Sequence, residues 1–339
     1  MSRLHDGTRS RSRFGRSLAM VLATALVAAA PLAVPTVMAQ DRLSIATGGT
    51  GGVYYPYGGA LANVLSDAIE GIEVTAEVTA ASVDNMLLIE TQDADLAFVL
   101  ADTAADAAAG RPPFEQAIPA QALATLYNNY THLVTTEGSG IETLADLAGK
   151  RVSTGSAGSG TEVIANRLLE AAGLNPDQDI QREQLGASES ADAMRDGQID
   201  AFFWSGGLPT AAVTDLAASP NVDFKLLPNG EFTDELQAAY GAFYGTATVP
   251  AGTYPGQDED VEVVVVPNVL VVNEAMDEQL AYDIVKAMFE HQDDLAAAHP
   301  AAAELTIESA VLNSPLPLHP GAARYFEEQG VDTAATPVG

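Results

Sequence analysis

A chain of 339 residues without a cysteine cannot hold a disulfide framework, a zinc–thiolate site, a thiol nucleophile or a lipid-modified N-terminal cysteine. Its 15 Lys and Arg against 46 Asp and Glu, a formal net charge of −31 at pH 7, exclude nucleic acid as a partner, because phosphate binding needs clustered cations. With 47% of its residues apolar, the chain can fill two lobes of ordinary domain size. Arg3, Arg9, Arg11, Arg13 and Arg16 precede an apolar run that ends at Val37-Met38-Ala39, which predicts a secretory signal peptide over residues 1–39. No two of these arginines adjoin, so export through the twin-arginine route is not expected. Removing the leader takes five cations and only Asp6 from the acidic side, leaving ten Lys and Arg against 45 Asp and Glu, a net of −35. No later stretch has the ~20 apolar residues a membrane span needs. The expectation is an exported, soluble protein without a lipid anchor, adapted to saline surroundings where the Debye length shrinks to ~3 Å at 1 M salt. An acidic surface that steers a cationic ligand is the other reading.

The strand "LSIA" (43–46) leads into "TGGTGG" (47–52) and the helix "PYGGALANVLSDAI" (56–69). The strand "KRVS" (150–153) leads in the same way into "TGSAGSG" (154–160) and the helix "TEVIANRLLEAAG" (161–173). Further along, "ASVDNMLLIETQDADLAFVL" from Ala81 resembles "ASESADAMRDGQIDAFFW" from Ala187. Thr47 pairs with Thr154, Ser82 with Ser188 and Asp95 with Asp200, at offsets of 107, 106 and 105. Two copies of one unit follow, each running strand, glycine-rich turn, helix, strand, serine-started helix, strand. Ser82 and Ser188 are candidate N-caps. The pattern predicts α/β architecture with mostly parallel sheets flanked by helices in two lobes. Both kinds of turn then lie at the carboxyl edges of strands, where such sheets bind ligands, so two facing edges make a clamshell cleft.

After the second copy come a short helix, "TDELQAAYG", an irregular stretch, "YGTATVPAGTYPGQDED", and the apolar strand "VEVVVVPNVLVVN". Pro267 beside Asn268 suggests an interruption where the chain returns to the first lobe. A helix over 275–298 and "HPGAARYFEEQG" complete the reading. The boundaries are 40–133 for the first lobe, 134–248 for the second, and 249–339 for the return strand, hinge and a C-terminal part packed mainly on the first lobe.

Several segments together resemble a known family: "IATGGTGGVYYPYGGALANVL", "LYNNYTHLVT", "GIETLADLAGKRVSTGSAGSGTEVIANRLL", "SESADAMRDGQIDAFFWSGGLPTAAVTDLA" and "PLHPGAARYFEEQGV". In order and spacing these are similar to the TAXI branch of TRAP-transporter substrate-binding proteins, on the type II periplasmic-binding-protein fold. The resemblance implies two hinged lobes and a periplasmic receptor. Its partner would be a TRAP membrane subunit, a fused multi-span permease driven by an ion gradient. It further implies a small organic ligand such as an amino acid, glutamate-like, or another small carboxylate. A sensor that delivers a small solute to a signalling receptor is the alternative.

The turn 154–160 has the glycine spacing of a phosphate loop at Gly155 and Gly160, but Thr161 occupies the lysine position, so a nucleotide is not expected. A helix N-terminus with free N–H groups remains. Ser156, Gly158, Ser159, Gly160 and Thr161 are therefore the leading ligand-binding candidates, although a tight turn that only packs the helix on its sheet would use the same residues. Opposite them, Gly48, Gly49, Gly51 and Gly52 permit close approach. Of Tyr54 and Tyr55, one packs in the core and the other covers the ligand. Ser82 and Asn85 offer donors at the second helix, with capping an equal explanation for Ser82. Asp102 ends a strand and either receives a ligand ammonium or caps a helix. Trp204, the single tryptophan, ends the matching strand before Gly207 and reads as a ligand wall. The five histidines lack metal-ligand spacing, and no base accompanies the serines of the glycine turn. No catalytic residue, metal or cofactor is expected, and the protein is not read as an enzyme.

Overall fold

The computed structural model describes residues 41–333, so the expected signal peptide over 1–39 lies outside the described residues. The first repeat unit runs β1 (Asp41–Ala46), α1 (Tyr54–Ala68), β2 (Ile72–Glu77), α2 (Ser82–Thr91), β3 (Leu96–Leu100) and α3 (Ala101–Ala109). A long strand, β4 (Ala120–Thr136), carries the chain into the second unit. That unit holds β5 (Arg151–Ser153), α4 (Gly160–Ala171), β6 (Gln181–Glu183), α5 (Ala187–Arg195), β7 (Ala201–Gly206), α6 (Ala211–Ala217), β8 (Phe224–Leu227) and α7 (Thr233–Tyr240). The chain returns through β9 (Gly245–Val249) and β10 (Val261–Asn273) and ends in α8 (Glu278–Glu290), α9 (Gln292–Ala298) and α10 (Pro320–Glu328).

The strands order as β2-β1-β3-β10-β4-β7-β5-β6, with β8 on β4 and β9 on β10. β1 pairs in parallel with β2 and β3, and β5 pairs in parallel with β6 and β7. The antiparallel pair β4/β10 joins the two arms. The fold is thus two-lobed α/β, each lobe a mostly parallel sheet flanked by helices, with two long strands passing between the lobes. β3 (LAFVL) is buried at all five positions, as an apolar run covered by helices on both faces must be. One face of the first sheet packs Ile45, Phe98 and Leu270 against Leu61 of α1, Ile284 of α8 and Phe326 of α10. In the second lobe Phe202 packs with Val213 and Leu216 of α6.

The repeat extends to single hydrogen bonds. Thr47 donates through its N–H and hydroxyl to Glu77 O at 3.0 and 2.5 Å, and Thr154 donates likewise to Glu183 O at 2.9 and 3.4 Å. Asp95 accepts from Ser44 N and Asp200 from Arg151 N, both at 2.8 Å.

Three expected features differ. The stretch read as irregular contains β9, which is half-exposed and takes its strand form from pairing with β10. The helix expected over 275–298 is two helices that meet at His291. At Pro267 the strand does not end: a register shift between Pro267 and Val269 lets β10 continue beside β4. Among the described residues no helix is long and apolar enough to cross a membrane.

Candidate functional site

The two glycine turns leave β1 and β5 at their carboxyl ends and face each other across a cavity. It offers about 40 Å³ to the centre of a water-sized sphere. A sequence reason for the close fit sits at Gly160, the first residue of α4. A Cβ there would come within 2.6 Å of Leu100 Cδ1 and 2.7 Å of Ser82 Oγ in the other lobe. The mirror contact is Gly51, where a Cβ would meet Ser188 Oγ at 2.1 Å. α2 and α5 therefore each abut the glycine turn of the opposite lobe; Ser188, the second residue of α5, does not cap it, since the helix starts at Ala187 after Gly186.

Backbone bonds reinforce this closure. Gly158 O accepts from Val83 N and Asp84 N of α2 at 3.1 and 3.2 Å, and Gly51 O accepts from Ala212 N of α6 at 3.3 Å. Helix first-turn N–H groups have no partner within their own helix. Here the opposite lobe's turn supplies one.

Of the residues proposed from sequence, Gly48, Gly49, Gly52, Tyr54, Ser82, Ser156, Ser159, Gly160, Thr161 and Trp204 line the cavity. Tyr54 is 9% exposed and donates its hydroxyl to Asn268 Oδ1, whereas Tyr55 is 38% exposed and outside the lining. Ser159 caps α4, its Oγ accepting from Glu162 N at 3.1 Å while Glu162 Oε2 accepts from Gly158 N at 2.8 Å, a near relative of the capping box. Thr161 Oγ1 accepts from Ser205 N at 3.2 Å. Ser82 does not cap α2; its Oγ accepts from Leu100 N at 3.1 Å.

The other candidates lie elsewhere. Gly51 and Gly158 serve the interlobe bonds rather than the lining. Gly207 makes room for the Tyr127 ring, since a Cβ would sit 3.0 Å from Tyr127 Cε2. Asn85 is spent inside the fold: its amide donates to Thr47 O and Phe98 O, both at 2.8 Å, and its Oδ1 accepts from Thr79 Oγ1 at 2.6 Å. Asp102 is buried outside the lining, where Tyr244 Oη (2.8 Å), Arg167 Nη1 (3.2 Å) and Thr103 N (2.7 Å) all donate to it. Arg167 also pairs with Asp106 and tolerates its burial because Tyr244, Asp102 and Asp106 together raise its pKa.

Not one of the twenty lining residues carries a charged side chain. Three residues of the lining also carry unmet hydrogen-bonding capacity. Tyr127 Oη, Asn129 Oδ1 and Ser205 Oγ are buried and meet no partner among the described residues. A buried polar atom left unpaired costs about 1–3 kcal/mol, so the three around this cavity are available to a bound molecule. Burial raises the pKa of the Tyr54 and Tyr127 phenols, which keeps both as neutral hydroxyls. Asn129 Nδ2 donates to Asn268 Oδ1 at 3.3 Å, and this leaves its Oδ1 as an acceptor. Ala81 adds backbone strain to the wall, with φ +86° and ψ −143°, a region that glycine ordinarily occupies.

None of Tyr127, Asn129, Ser205 and Ala81 was among the sequence candidates. For the first two a signal exists: Tyr127, Asn129 and Thr131 alternate through β4, so their side chains share one face.

Fold and site together define a two-lobed solute-binding protein. The chain belongs to the NMT1-like family, whose model matches residues 45–330. Among solved structures it is similar to the alkanesulfonate-binding protein SsuA of Xanthomonas axonopodis pv. citri bound to MOPS: 18% identity, 84% of this chain and 83% of that one, TM-score 0.45. It is also similar to the periplasmic aliphatic sulphonate binding protein SsuA of Escherichia coli: 15% identity, 85% and 83% covered, TM-score 0.44. An ancestral arginine-binding protein bound to arginine shares 14% identity over 78% of this chain and 98% of that one, TM-score 0.47.

Proposed function

We propose that this protein is a periplasmic receptor that closes its two lobes on a small organic solute and delivers it to a membrane transporter. The carrying observation is the charge-free cavity between two helix-starting turns, with three buried polar atoms of its lining residues that lack partners. The ten lining candidates named above are the proposed ligand contacts, joined by Tyr127, Asn129 and Ser205. A carboxylate would sit at the start of α4, where N–H groups and the helix dipole favour negative charge. An ammonium or amide N–H of the same ligand would donate to Asn129 Oδ1. Hydrogen bonds to a charged group contribute about 1.5–3 kcal/mol each, and micromolar affinity needs about 8 kcal/mol. Four or five such contacts in a dry cavity reach that after ordering costs. The absence of a lining arginine favours an amino acid or small monocarboxylate over a rigid dicarboxylate.

The segments quoted above support a TAXI-type TRAP system as the transporter, with a fused multi-span permease as partner and the lobes divided near residues 133 and 248. A thermal-shift panel of amino acids and of mono- and dicarboxylates in high salt tests the receptor reading. At 100 times Kd a ligand adds about 2.7 kcal/mol of stability, a shift of several degrees. A melting temperature unmoved by every compound at millimolar concentration overturns it. Uptake of the bound solute by vesicles carrying a TRAP permease, dependent on this protein, tests the partner.

A further inference from the structure

Trp204 is held in an unusual way for a large cavity-wall side chain. Glycines stand where side chains would ordinarily pack against it: a Cβ on Gly52 would come within 2.7 Å of the indole Cη2, and one on Gly206 within 2.4 Å of Nε1. Gly52 belongs to the other lobe, so its contact exists only while the cleft is closed. Within its own lobe the ring packs against the apolar cluster around Phe202 and Val213, and its Nε1 donates a hydrogen bond to Thr210 Oγ1 at 2.9 Å, which sets its orientation.

Thr210 is itself fully buried and bonded at both ends. Its hydroxyl donates to Gly207 O at 2.9 Å, and its N–H donates to Tyr254 Oη at 3.1 Å. Tyr254 Oη lies 2.7 Å from His132 Nε2. His132 Nδ1 faces two carbonyl oxygens, Tyr130 O at 2.8 Å and Trp204 O at 3.2 Å. Carbonyls only accept, so the imidazole proton is on Nδ1 and Nε2 is the acceptor. Tyr254 must then donate to His132, which frees its oxygen to accept from Thr210. Every donor in the series has an acceptor, the His132 Nδ1–H being shared between the Tyr130 and Trp204 carbonyls, and the series closes on Trp204, because His132 reaches that residue's carbonyl while Thr210 binds its indole.

We propose that His132, Tyr254 and Thr210 are positioning residues that hold the Trp204 indole in one orientation as the wall of the cavity, whether the lobes are open or shut. The proposal rests on the reading of this cavity as the ligand site. Its consequence for recognition is that the width of the cavity on the β7 side is set before ligand arrives.

Trp204 is the only tryptophan in the chain, so its fluorescence reports this ring alone. Thr210→Val keeps the side-chain shape and the N–H bond to Tyr254 but removes the acceptor for the indole; Thr210→Ser keeps the acceptor. In the folded protein, acrylamide should quench Thr210→Val at least twofold more steeply than wild type, with red-shifted emission, and Thr210→Ser should match wild type. Tyr254→Phe, which removes the strut under Thr210, should loosen the ring in the same direction, and it carries the test if Thr210→Val does not fold. Quenching of Thr210→Val indistinguishable from wild type, or Thr210→Ser as loose as Thr210→Val, overturns the proposal. The quenching needs no ligand, so its failure leaves the receptor reading intact, and failure of the ligand panel leaves the quenching result standing.

Discussion

Ser205 divides its backbone and its side chain between two tasks. The N–H donates to Thr161 Oγ1, while the hydroxyl, buried beside the cavity, has no partner. Ser205→Ala removes only the unpaired hydroxyl, so the empty protein should melt at the same temperature or slightly higher. A ligand found in the panel should bind at least tenfold more weakly, because one hydrogen bond to a charged group contributes about 1.5–3 kcal/mol. Paired melting and calorimetry decide this; a variant that is less stable yet binds normally would show the hydroxyl to be structural. His132 carries a second residue-scale prediction. Burial lowers its pKa from 6.5 to about 4. Between those values the unfolded chain holds a proton that the folded ring refuses, so this contribution is complete above pH 6.5 and declines as pH falls to about 4. The loss is on the order of 3 kcal/mol. Denaturant melts from pH 7 to 4.5 should fall less steeply in His132→Gln than in wild type, and parallel slopes would refute the assignment. Residue by residue, the glycines and hydroxyls of the turns were legible because a strand–turn–helix pattern announces where backbone donors gather. In β4 the alternation points at 127 and 129, but only the pairing partners decide which face of a long strand looks into a cleft. The positive φ of Ala81 leaves no trace in a sequence, since nothing marks a non-glycine that the surrounding fold forces there.

α4 is the element on which closure and binding meet. Its first residue, Gly160, faces Ser82 and Leu100 across the cleft with no room for a methyl group. Within its own helix the position favours alanine by up to about 1 kcal/mol, so Gly160→Ala should not destabilise the second lobe. It should prevent the lobes from meeting. The expected result is a melting temperature at or above wild type, no compaction in small-angle scattering when ligand is added, and affinity lowered at least tenfold. Compaction equal to wild type would show that the contact between α4 and α2 is incidental. Ser159→Ala acts on the same element by a different route: loss of the cap should cost about 1 kcal/mol of stability. A weaker ligand affinity in that variant must therefore be compared at equal folded fraction. Elements with a strong pattern were readable in advance, β3 as an unbroken apolar run, β10 as two apolar runs on either side of Pro267 and Asn268, and α1 and α4 as helices after glycine turns. β9 was not, because five residues that are exposed or part-exposed up to the buried Val249 become a strand only by pairing with β10. Nor was the break at His291, where the helical pattern continues on both sides of a residue with φ −119°.

Over the whole molecule, charge is the largest force without a local answer. All ten Lys and Arg beyond residue 39 lie among the described residues. Nine of them are already in ion pairs, from Arg42 with Glu73 to Arg324 with Glu278. The tenth, Lys150, donates its ammonium to Ser139 O at 3.0 Å. Against them stand 45 Asp and Glu, so no redistribution of side chains can neutralise the surplus. Exposed pairs contribute only about 0–1 kcal/mol each, and the net of −35 carried by residues 40–339 repels itself over a Debye length of ~30 Å at 0.01 M salt but only ~3 Å at 1 M. The melting temperature should therefore climb by several degrees as NaCl rises from ~0.01 to ~1 M, and KCl should act alike because screening depends on ionic strength. If the acidic surface also steers a cationic ligand, salt would in addition slow association. Calorimetric scans across the salt series, run beside stopped-flow binding, separate the two. A melting temperature independent of salt would remove the saline reading and leave the excess of carboxylates to be explained by what they attract.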